Sequence, residues 1–361
     1  MMKNRAPLFI ILLVAAGILG YMAFSKPGWL APKPPAFEFQ KGMCYVAWSK
    51  DAFSSNSSIE SIKVVKDIGT TWVAITPTWY QDKCSTNRIY PTDSTPSDAS
   101  VIRIINEAHL LGMKVMLKPH LDIIDTSEGG FRGDIMCATD PEWDSWFNNY
   151  RDFIVHYAKM AQETKCEMFC IGTELTSVAT IKEDKWKTII IPPIKEAYKG
   201  SLTYAANWRD EYQYVKFWDK MDYVGIDAYF PLSKNNIPTY EEIKAGWAPW
   251  IKDIEDFQKK VDKPIIFPEI GYCSADGITK MPWEEAVGRP LNMKLQEDCY
   301  RAVFELFWSK EWFYGAYWWK WGTNKRHGGK ANKSFTPQNK PAQDLVMEWY
   351  KKPAPKRSLY K

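Results

Sequence analysis

The sequence predicts a single-domain α/β fold, a (β/α)₈ TIM barrel in which eight parallel strands alternate with helices. Two observations lead to this fold class. Eight short β-rich runs recur along the 361-residue chain, and helical patterns fall between them. Such alternation implies a parallel sheet, and eight units favour closure into a barrel. An open doubly wound sheet is the rival, but the phosphate-binding fingerprint that usually follows its first strand is missing.

Each predicted element is bounded by its own signals. The strands are the runs Gly42–Trp48, Trp72–Thr76, Lys114–Pro119, Glu167–Glu174, Leu202–Asn207, Tyr223–Asp227, Ile265–Glu269 and Gly315–Trp321. The helical patterns are Ser57–Ile68, Asp98–Leu111, Pro141–Glu163, Glu183–Tyr198, Glu211–Lys220, Tyr240–Lys260, Asn292–Lys310 and Pro341–Lys351. Ser97 and Thr239 supply capping side chains at helix starts. Gly69 and Gly112 stand where helices must end.

The N-terminus predicts a targeting segment. Lys3 and Arg5 precede an uncharged apolar stretch, Leu8–Phe24. It is either a signal peptide that is removed, or a membrane anchor at the short edge of the roughly 17–25 residues that span a bilayer. Either alternative places the body outside the cytoplasm, secreted or membrane-anchored. The predicted organisation is residues 1–25 as signal or anchor, 26–40 as a proline-rich linker, 41–352 as the barrel and 353–361 as a basic tail.

Composition and charge favour a sugar ligand over nucleic acid or a metal. The chain has 18 Trp and 19 Tyr, whose flat amphipathic rings suit sugar ligands. Its net charge is +4, without a basic stripe in the body, so nucleic acid is not an expected partner. The histidines are scattered and no CxxC motif occurs, so neither a metal nor a cofactor is expected. Cys84 and Cys137 fall in neighbouring predicted loops and could form a disulfide.

Two glutamates carry the strongest functional signal. Glu174 ends the fourth predicted strand and Glu269 ends the seventh. Carboxylates at the C-terminal ends of barrel strands point to the face where such enzymes do chemistry. Two carboxylates from different strands are the minimum needed to cleave a glycosidic bond. The pair therefore indicates glycoside hydrolysis.

This placement resembles the clan A glycoside hydrolases, in which the acid/base follows strand four and the nucleophile follows strand seven. Thr173 stands where many clan members carry Asn before the acid/base. Five motifs in order resemble glycoside hydrolase family 113: Gly172-Thr173-Glu174-Leu175, Asp227-Ala228-Tyr229-Phe230, Pro268-Glu269-Ile270-Gly271-Tyr272, Gly315-Ala316-Tyr317-Trp318-Trp319-Lys320-Trp321 and Phe335-Thr336-Pro337-Gln338-Asn339-Lys340-Pro341-Ala342.

The resemblance implies retaining endo-β-1,4-mannanase activity on mannan or glucomannan, with Glu269 as nucleophile and Glu174 as acid/base. It also implies that Tyr229 donates its hydroxyl to Glu269. Trp319 or Trp321 would floor the subsite beside the cleaved bond, because a spacing of two places both on one face of the strand. Trp318 would then lie on the other face, in the core.

Further candidates for sugar contacts follow other strands. Trp48 and Trp79, with Tyr80 beside the latter, follow strands one and two; His120 follows strand three, and Asn207 with Trp208 follows strand five. Asp122 and Asp227 are interpreted as loop-ordering carboxylates. The long segments Leu121–Thr139 and Cys273–Pro290 are expected to form walls or lids of the cleft.

Two other functions stay open. One is hydrolysis of a different β-glycan, such as glucan or xylan, and the other is non-catalytic glycan binding on the same barrel. All three have a β-linked oligosaccharide or polysaccharide as partner. The sequence decides neither endo from exo action nor the oligomeric state.

Overall fold

Eight parallel strands close into a barrel in the computed structural model, which describes residues 37–127, 130–358 and 360. Around the barrel their order is β1, β10, β9, β8, β7, β6, β4, β2. Their bounds are β1 Gln40–Val46, β2 Trp72–Thr76, β4 Lys114–Leu117, β6 Met168–Thr173, β7 Ser201–Asn207, β8 Tyr223–Asp227, β9 Ile265–Ile270 and β10 Phe313–Gly322. The predicted fold class is confirmed.

A second, two-stranded sheet extends the barrel wall above β2 and β4. It consists of β3 (Thr78–Gln81) and β5 (His120–Ile123), which pair in parallel. Each continues the chain directly beyond a barrel strand, so residues that follow strands two and three are still in extended structure. Side chains therefore keep alternating between two faces there.

Helices cover the outside of the barrel and begin where the capping residues predict. Ser97 and Thr239 accept hydrogen bonds from the first-turn amides of Ser100 and Glu242. Such bonds satisfy amide groups that have no partner within the helix. The helices are Asn56–Asp67, Asp98–Leu110, Asp140–Glu163, Thr176–Ile181, Glu183–Lys185, Ile191–Ala197, Tyr240–Val261, Met293–Phe307 and Pro341–Lys351.

Two predicted helices are wrong in extent or in kind. Within Glu183–Tyr198 the α-helix is interrupted by a π-helical turn at Trp186–Ile190, just before Pro192 and Pro193. Prolines lack the amide hydrogen that a continuous helix needs. Within Glu211–Lys220 the structure has turns and one 3₁₀ turn, Trp218–Lys220. At the start of this segment a side-chain oxygen of Glu211 accepts the amide hydrogen of Asn207. Such a hydrogen bond from a side chain to the nearby backbone favours a turn over a helix.

Strand β10 carries an extra residue that changes which way its side chains point. Met43 pairs with Trp318, but Tyr45, two residues on, pairs with Trp321, three residues on. An extra residue in one strand breaks the alternation of faces. Trp318 and Trp321 consequently share the outer face, while Trp319 faces the barrel mouth.

The predicted signal or anchor, residues 1–25, lies outside the described residues, and so do residues 26–36 of the predicted linker. Among the residues that are described, no helix has the length and apolar character to cross a membrane. In the basic tail, Arg357 donates to the carbonyl oxygens of Phe313 and Trp308. Cys137 is a buried free thiol, so the Cys84–Cys137 disulfide does not form.

Candidate active site

A cavity of about 830 Å³ opens at the C-terminal ends of the barrel strands. This volume lies in the upper part of the range of small-molecule sites, roughly 300–1,000 Å³. Both long segments line it, one through residues 131–134 and the other through Trp283 and Glu285. The predicted site residues that line it are Glu174, Glu269, Tyr229, Asn207, Trp208 and Trp319.

Glu269 is the buried anion of the site. It lies in β9 and is only 3% exposed. The Lys118 ammonium donates to its Oε1, and the Tyr229 hydroxyl donates to its Oε2 over 2.8 Å. Burial alone would raise the pKa of Glu269, but the positive charge of Lys118 outweighs burial and holds that pKa well below its usual value. Glu269 is therefore ionised at neutral pH, and the predicted Tyr229 contact is present.

His120 lies beneath this anion rather than in the open cavity. Its Nε2 is 3.3 Å from Glu269 Oε1, without hydrogen-bonding geometry, and its ring stacks on Trp319 at 5.7 Å and 8°. Burial and the nearby Lys118 charge lower the pKa of His120 to about 4. A neutral imidazole thus supports the Trp319 ring, and His120, 3% exposed, is not among the residues that line the cavity.

Glu174 follows β6 with a backbone that few residues adopt. Its φ of +50° is left-handed, a conformation that costs about 1–3 kcal/mol outside glycine and that occurs often at functional sites. The conformation is fixed from two sides. The amide of Glu174 donates to Ala205 O over 2.8 Å, and the amide of Leu175 donates to the Tyr204 hydroxyl over 3.0 Å.

The Glu174 carboxyl has two partners of different kinds. Asn207 Nδ2 donates to Oε1 over 2.8 Å, and Arg132 Nη1 lies 3.5 Å from Oε2. Burial, together with the negative charge of Glu269 and against the opposing charge of Arg132, raises the pKa of Glu174 to about 7. Near neutral pH this carboxyl holds a proton for much of the time, whereas Glu269 does not.

Glu211 joins the loops that carry Glu174 and Asn207. Its carboxyl oxygens accept from the Tyr204 hydroxyl, from the Thr176 hydroxyl over 2.9 Å and from the Asn207 amide over 2.7 Å. Glu211 is fully buried. This network orients Asn207, whose side chain in turn orients Glu174.

The two aspartates interpreted as loop-ordering differ. Asp122 does order a loop, because it pairs with Arg132 and so fixes residues 131–134 at the cavity edge. Asp227 does not. It is fully buried in the barrel, and both carboxyl oxygens are without a hydrogen-bond partner among the described residues. Burial raises the pKa of Asp227 well above its usual value, against the opposing charge of Lys118, and so favours the neutral form of this group.

Three of the aromatic residues predicted to contact sugar, Trp321, Trp79 and Trp48, are not among the residues that line the cavity. Trp321 is 1% exposed and donates its indole hydrogen to Ser61 on the outer side of the barrel, because the extra residue in β10 turns it away from the mouth. Trp79 is directed outward by β3 and donates to the Tyr157 hydroxyl of a covering helix. Trp48 is 45% exposed and lies under the Lys320 ammonium, itself a cavity residue, at 4.9 Å.

Sequence reasoning missed Lys118 and Arg132. Lys118 could have been predicted from the sequence, because it directly follows β4 just as Glu174 directly follows β6. Arg132 lies in a long loop, and nothing in its neighbourhood in the sequence indicates a partner. Within the described part of the chain, no group of three or more His, Cys, Asp or Glu side chains could hold a metal ion. The cavity thus holds two carboxyls whose pKa values are shifted in opposite directions, which suits acid-assisted nucleophilic displacement.

Comparisons with known proteins point to one family. The model of Glycoside Hydrolase Family 113 matches residues 43–340. A GH113 β-1,4-mannanase, solved as a complex, is 28% identical with a TM-score of 0.77, over 87% of this chain and 99% of its own. The GH113 β-mannanase AaManA from Alicyclobacillus acidocaldarius, in complex with ManMIm, is 26% identical with a TM-score of 0.77, over 87% and 97%.

More distant similarity is confined to the fold. A β-glucuronidase from Ruminococcus gnavus is 12% identical, with a TM-score of 0.58 over 88% of this chain and 50% of its own. The comparison with curated protein sequences gave no match.

Proposed function

The chain belongs to glycoside hydrolase family 113, and from this premise we propose that it hydrolyses β-1,4-linked mannan or glucomannan with retention of anomeric configuration. The observation that carries the proposal is the pair of carboxyls, Glu174 and Glu269, that line one cavity and whose surroundings shift their pKa values in opposite directions. The substrate class is supported by the similar structures, which are named as β-1,4-mannanases.

In the first step Glu269 attacks the anomeric carbon and Glu174 gives its proton to the departing glycosidic oxygen. The bond to the leaving sugar breaks as an ester bond to Glu269 forms. Lys118 and Tyr229 hold the attacking carboxylate in place, so its two oxygens need no reorientation. Retention requires the two carboxyl groups to lie roughly 5–5.5 Å apart.

In the second step the roles of the two carboxyls change. Glu174, now ionised, takes a proton from a water molecule that attacks the anomeric carbon, and Glu269 leaves as carboxylate. Two displacements restore the original configuration. Asn207 and Arg132 contact Glu174, and the positive charge of Arg132 favours the ionised form that takes this proton. Trp319 would floor the sugar ring at the reacting centre.

The substrate class is tested by measuring the release of reducing ends from mannan, glucomannan, cellulose and xylan. We expect release from mannan and glucomannan, and little from the other two. Preferred release from cellulose or xylan would favour another β-glycan as substrate. Binding of glucomannan without any release would support a non-catalytic barrel.

A pH profile tests the role of Arg132. Since Glu174 must be protonated in the first step, kcat/KM should fall as the pH rises through about 7. Arg132 opposes protonation of Glu174, so Arg132→Met should raise the pKa of Glu174 and move the alkaline limb to higher pH. Arg132→Lys keeps a positive charge and should leave the limb near its original position. An alkaline limb that stays in place in Arg132→Met, or moves to lower pH, would contradict this assignment.

A further inference from the structure

A fully buried layer of side chains lies beneath the two cavity glutamates. Four residues from different strands form it: Cys44 of β1, Lys118 directly after β4, Cys170 of β6 and Asp227 at the end of β8. The charge of Lys118 acts on each of the other three. Burial raises the pKa of both thiols, that of Cys170 to about 11, so they stay neutral. Lys118 and Asp227 are therefore the pair in this layer that can carry opposite charges.

Lys118 depends on one partner for its buried charge. Within the part of the chain that the structure describes, its ammonium donates a hydrogen bond to Glu269 Oε1 and to no other acceptor. When one member of a buried ion pair is removed, the other is left as an uncompensated charge, which is costly. The proposed first step has this effect, because it converts the Glu269 carboxylate into a neutral ester. Lys118 would then lose its anion for the lifetime of the glycosyl-enzyme.

Asp227 can supply the missing anion. Both of its carboxyl oxygens are buried, and neither has a hydrogen-bond partner among the described residues. The charged groups that act on it are Lys118, Glu269, Glu174 and Arg132. While Glu269 is ionised, its negative charge adds to burial in favouring the neutral form of Asp227, and esterification removes that charge. Glu174 becomes ionised in the same step, but it lies beside Arg132, whose positive charge offsets it.

We propose that Asp227 is the second counter-ion of Lys118 and balances its positive charge for as long as Glu269 is esterified. The inference rests on the proposed double displacement and adds to it a positioning residue that acts through Lys118. As the ester forms, the Asp227 carboxyl loses its proton to solvent. When water cleaves the ester and Glu269 leaves as carboxylate, Asp227 takes a proton back, so the proton balance closes over one turnover.

The lifetime of a trapped glycosyl-enzyme tests this proposal. 2-Deoxy-2-fluoro-β-mannobiosyl fluoride should form an ester with Glu269 that is hydrolysed slowly, and after excess reagent is removed the return of activity gives a half-time. In Asp227→Asn the side chain cannot ionise, so the charge of Lys118 is compensated only when Glu269 leaves. The half-time should fall about 10-fold or more, because an unpaired buried charge destabilises the ester. Only trapped molecules contribute, so the half-time does not depend on how much enzyme is folded.

Proton release during trapping is the second measurement, because it reports the ionisation of Asp227 itself. In weakly buffered solution with a pH indicator, the unmodified enzyme should release more protons per trapped molecule than Asp227→Asn, by up to about one per active site. Protons that come from Glu174 contribute in both enzymes and cancel in the difference. A purely structural role of Asp227 would leave the two proton counts equal.

Asp222→Asn is the matched control. Asp222 directly precedes β8, at the opposite end of the strand from Asp227, and accepts the amide hydrogen of Leu202 over 2.7 Å. Its half-time and proton count should equal those of the unmodified enzyme. An unchanged or longer half-time in Asp227→Asn, or a proton count equal to that of the unmodified enzyme, would overturn the proposal. If the unmodified enzyme formed no ester at all, the proposed double displacement itself would fail.

Discussion

Replacing Glu269 with alanine should abolish hydrolysis of every substrate, activated or natural. The reason is that Glu269 is the carboxylate that Lys118 and Tyr229 hold for the attack, whereas burial favours the neutral form of Asp227 and Glu174 is assigned to the leaving group. Added azide should restore turnover of an aryl β-mannobioside by entering the space that the carboxylate has left. The product should be a mannobiosyl azide of inverted configuration, identified by ¹H NMR.

Azide rescue also serves as the folding control for this variant, because a misfolded barrel could not be rescued. Full activity in Glu269→Ala without azide would show that Glu269 is not the nucleophile. A rescued product of retained configuration would show that Glu174 is the nucleophile and Glu269 the acid/base.

Replacing Glu174 with alanine should have an effect that depends on the leaving group. Hydrolysis of mannan should fall about 10²–10⁴-fold, the usual contribution of a general acid. A dinitrophenyl glycoside needs no proton to leave, so it should still form the glycosyl-enzyme at a rate close to normal. Azide should then speed the breakdown of the intermediate and yield a product of retained configuration.

Glu167→Ala is the matched control for this prediction. Glu167 precedes the same strand, β6, at the opposite end of the barrel, where it contacts His109. Its loss should leave kcat on mannan unchanged. Equal losses on mannan and on the dinitrophenyl glycoside in Glu174→Ala would show that Glu174 does not act as the proton donor.

The barrel and its two glutamates were predictable for a physical reason. Strands of a parallel barrel are covered on both faces and read as short hydrophobic runs, so polar residues such as Glu174 and Glu269 mark their ends. Gly69 and Gly112 have φ of +94° and +70°, and each ends a helix where glycine tolerates that backbone. Signals of this kind depend only on neighbouring residues, so they can be read from the sequence without knowing the tertiary contacts.

The errors lie where a side chain's direction depends on distant parts of the chain. Trp319 and Trp321 are two residues apart, but the extra residue in β10 shows itself only in the pairing with β1. Trp79 faces outward because β3 finds a partner in β5, some forty positions away in the sequence. Arg132 reaches Glu174 from a loop on a different strand, and such a contact leaves no pattern around either residue.

The burial and pairing of charged side chains could not be predicted from the sequence either. Lys118 is fully buried, and only the structure shows that its partner is Glu269. Asp227 belongs to one of the recognised motifs, yet whether it is ionised depends on its burial beneath the site. The acid and base roles of Glu174 and Glu269 follow from these surroundings, since the two side chains are chemically identical.

The configuration of the first product tests the central claim most directly. Mannohexaose is hydrolysed in an NMR tube, and the anomeric proton of the newly formed reducing end is followed before mutarotation. Double displacement through Glu269 and Glu174 predicts that the β-anomer appears first and that the α-anomer grows only later. Initial release of the α-anomer would show a single displacement and contradict the assignment of Glu269 as a covalent nucleophile.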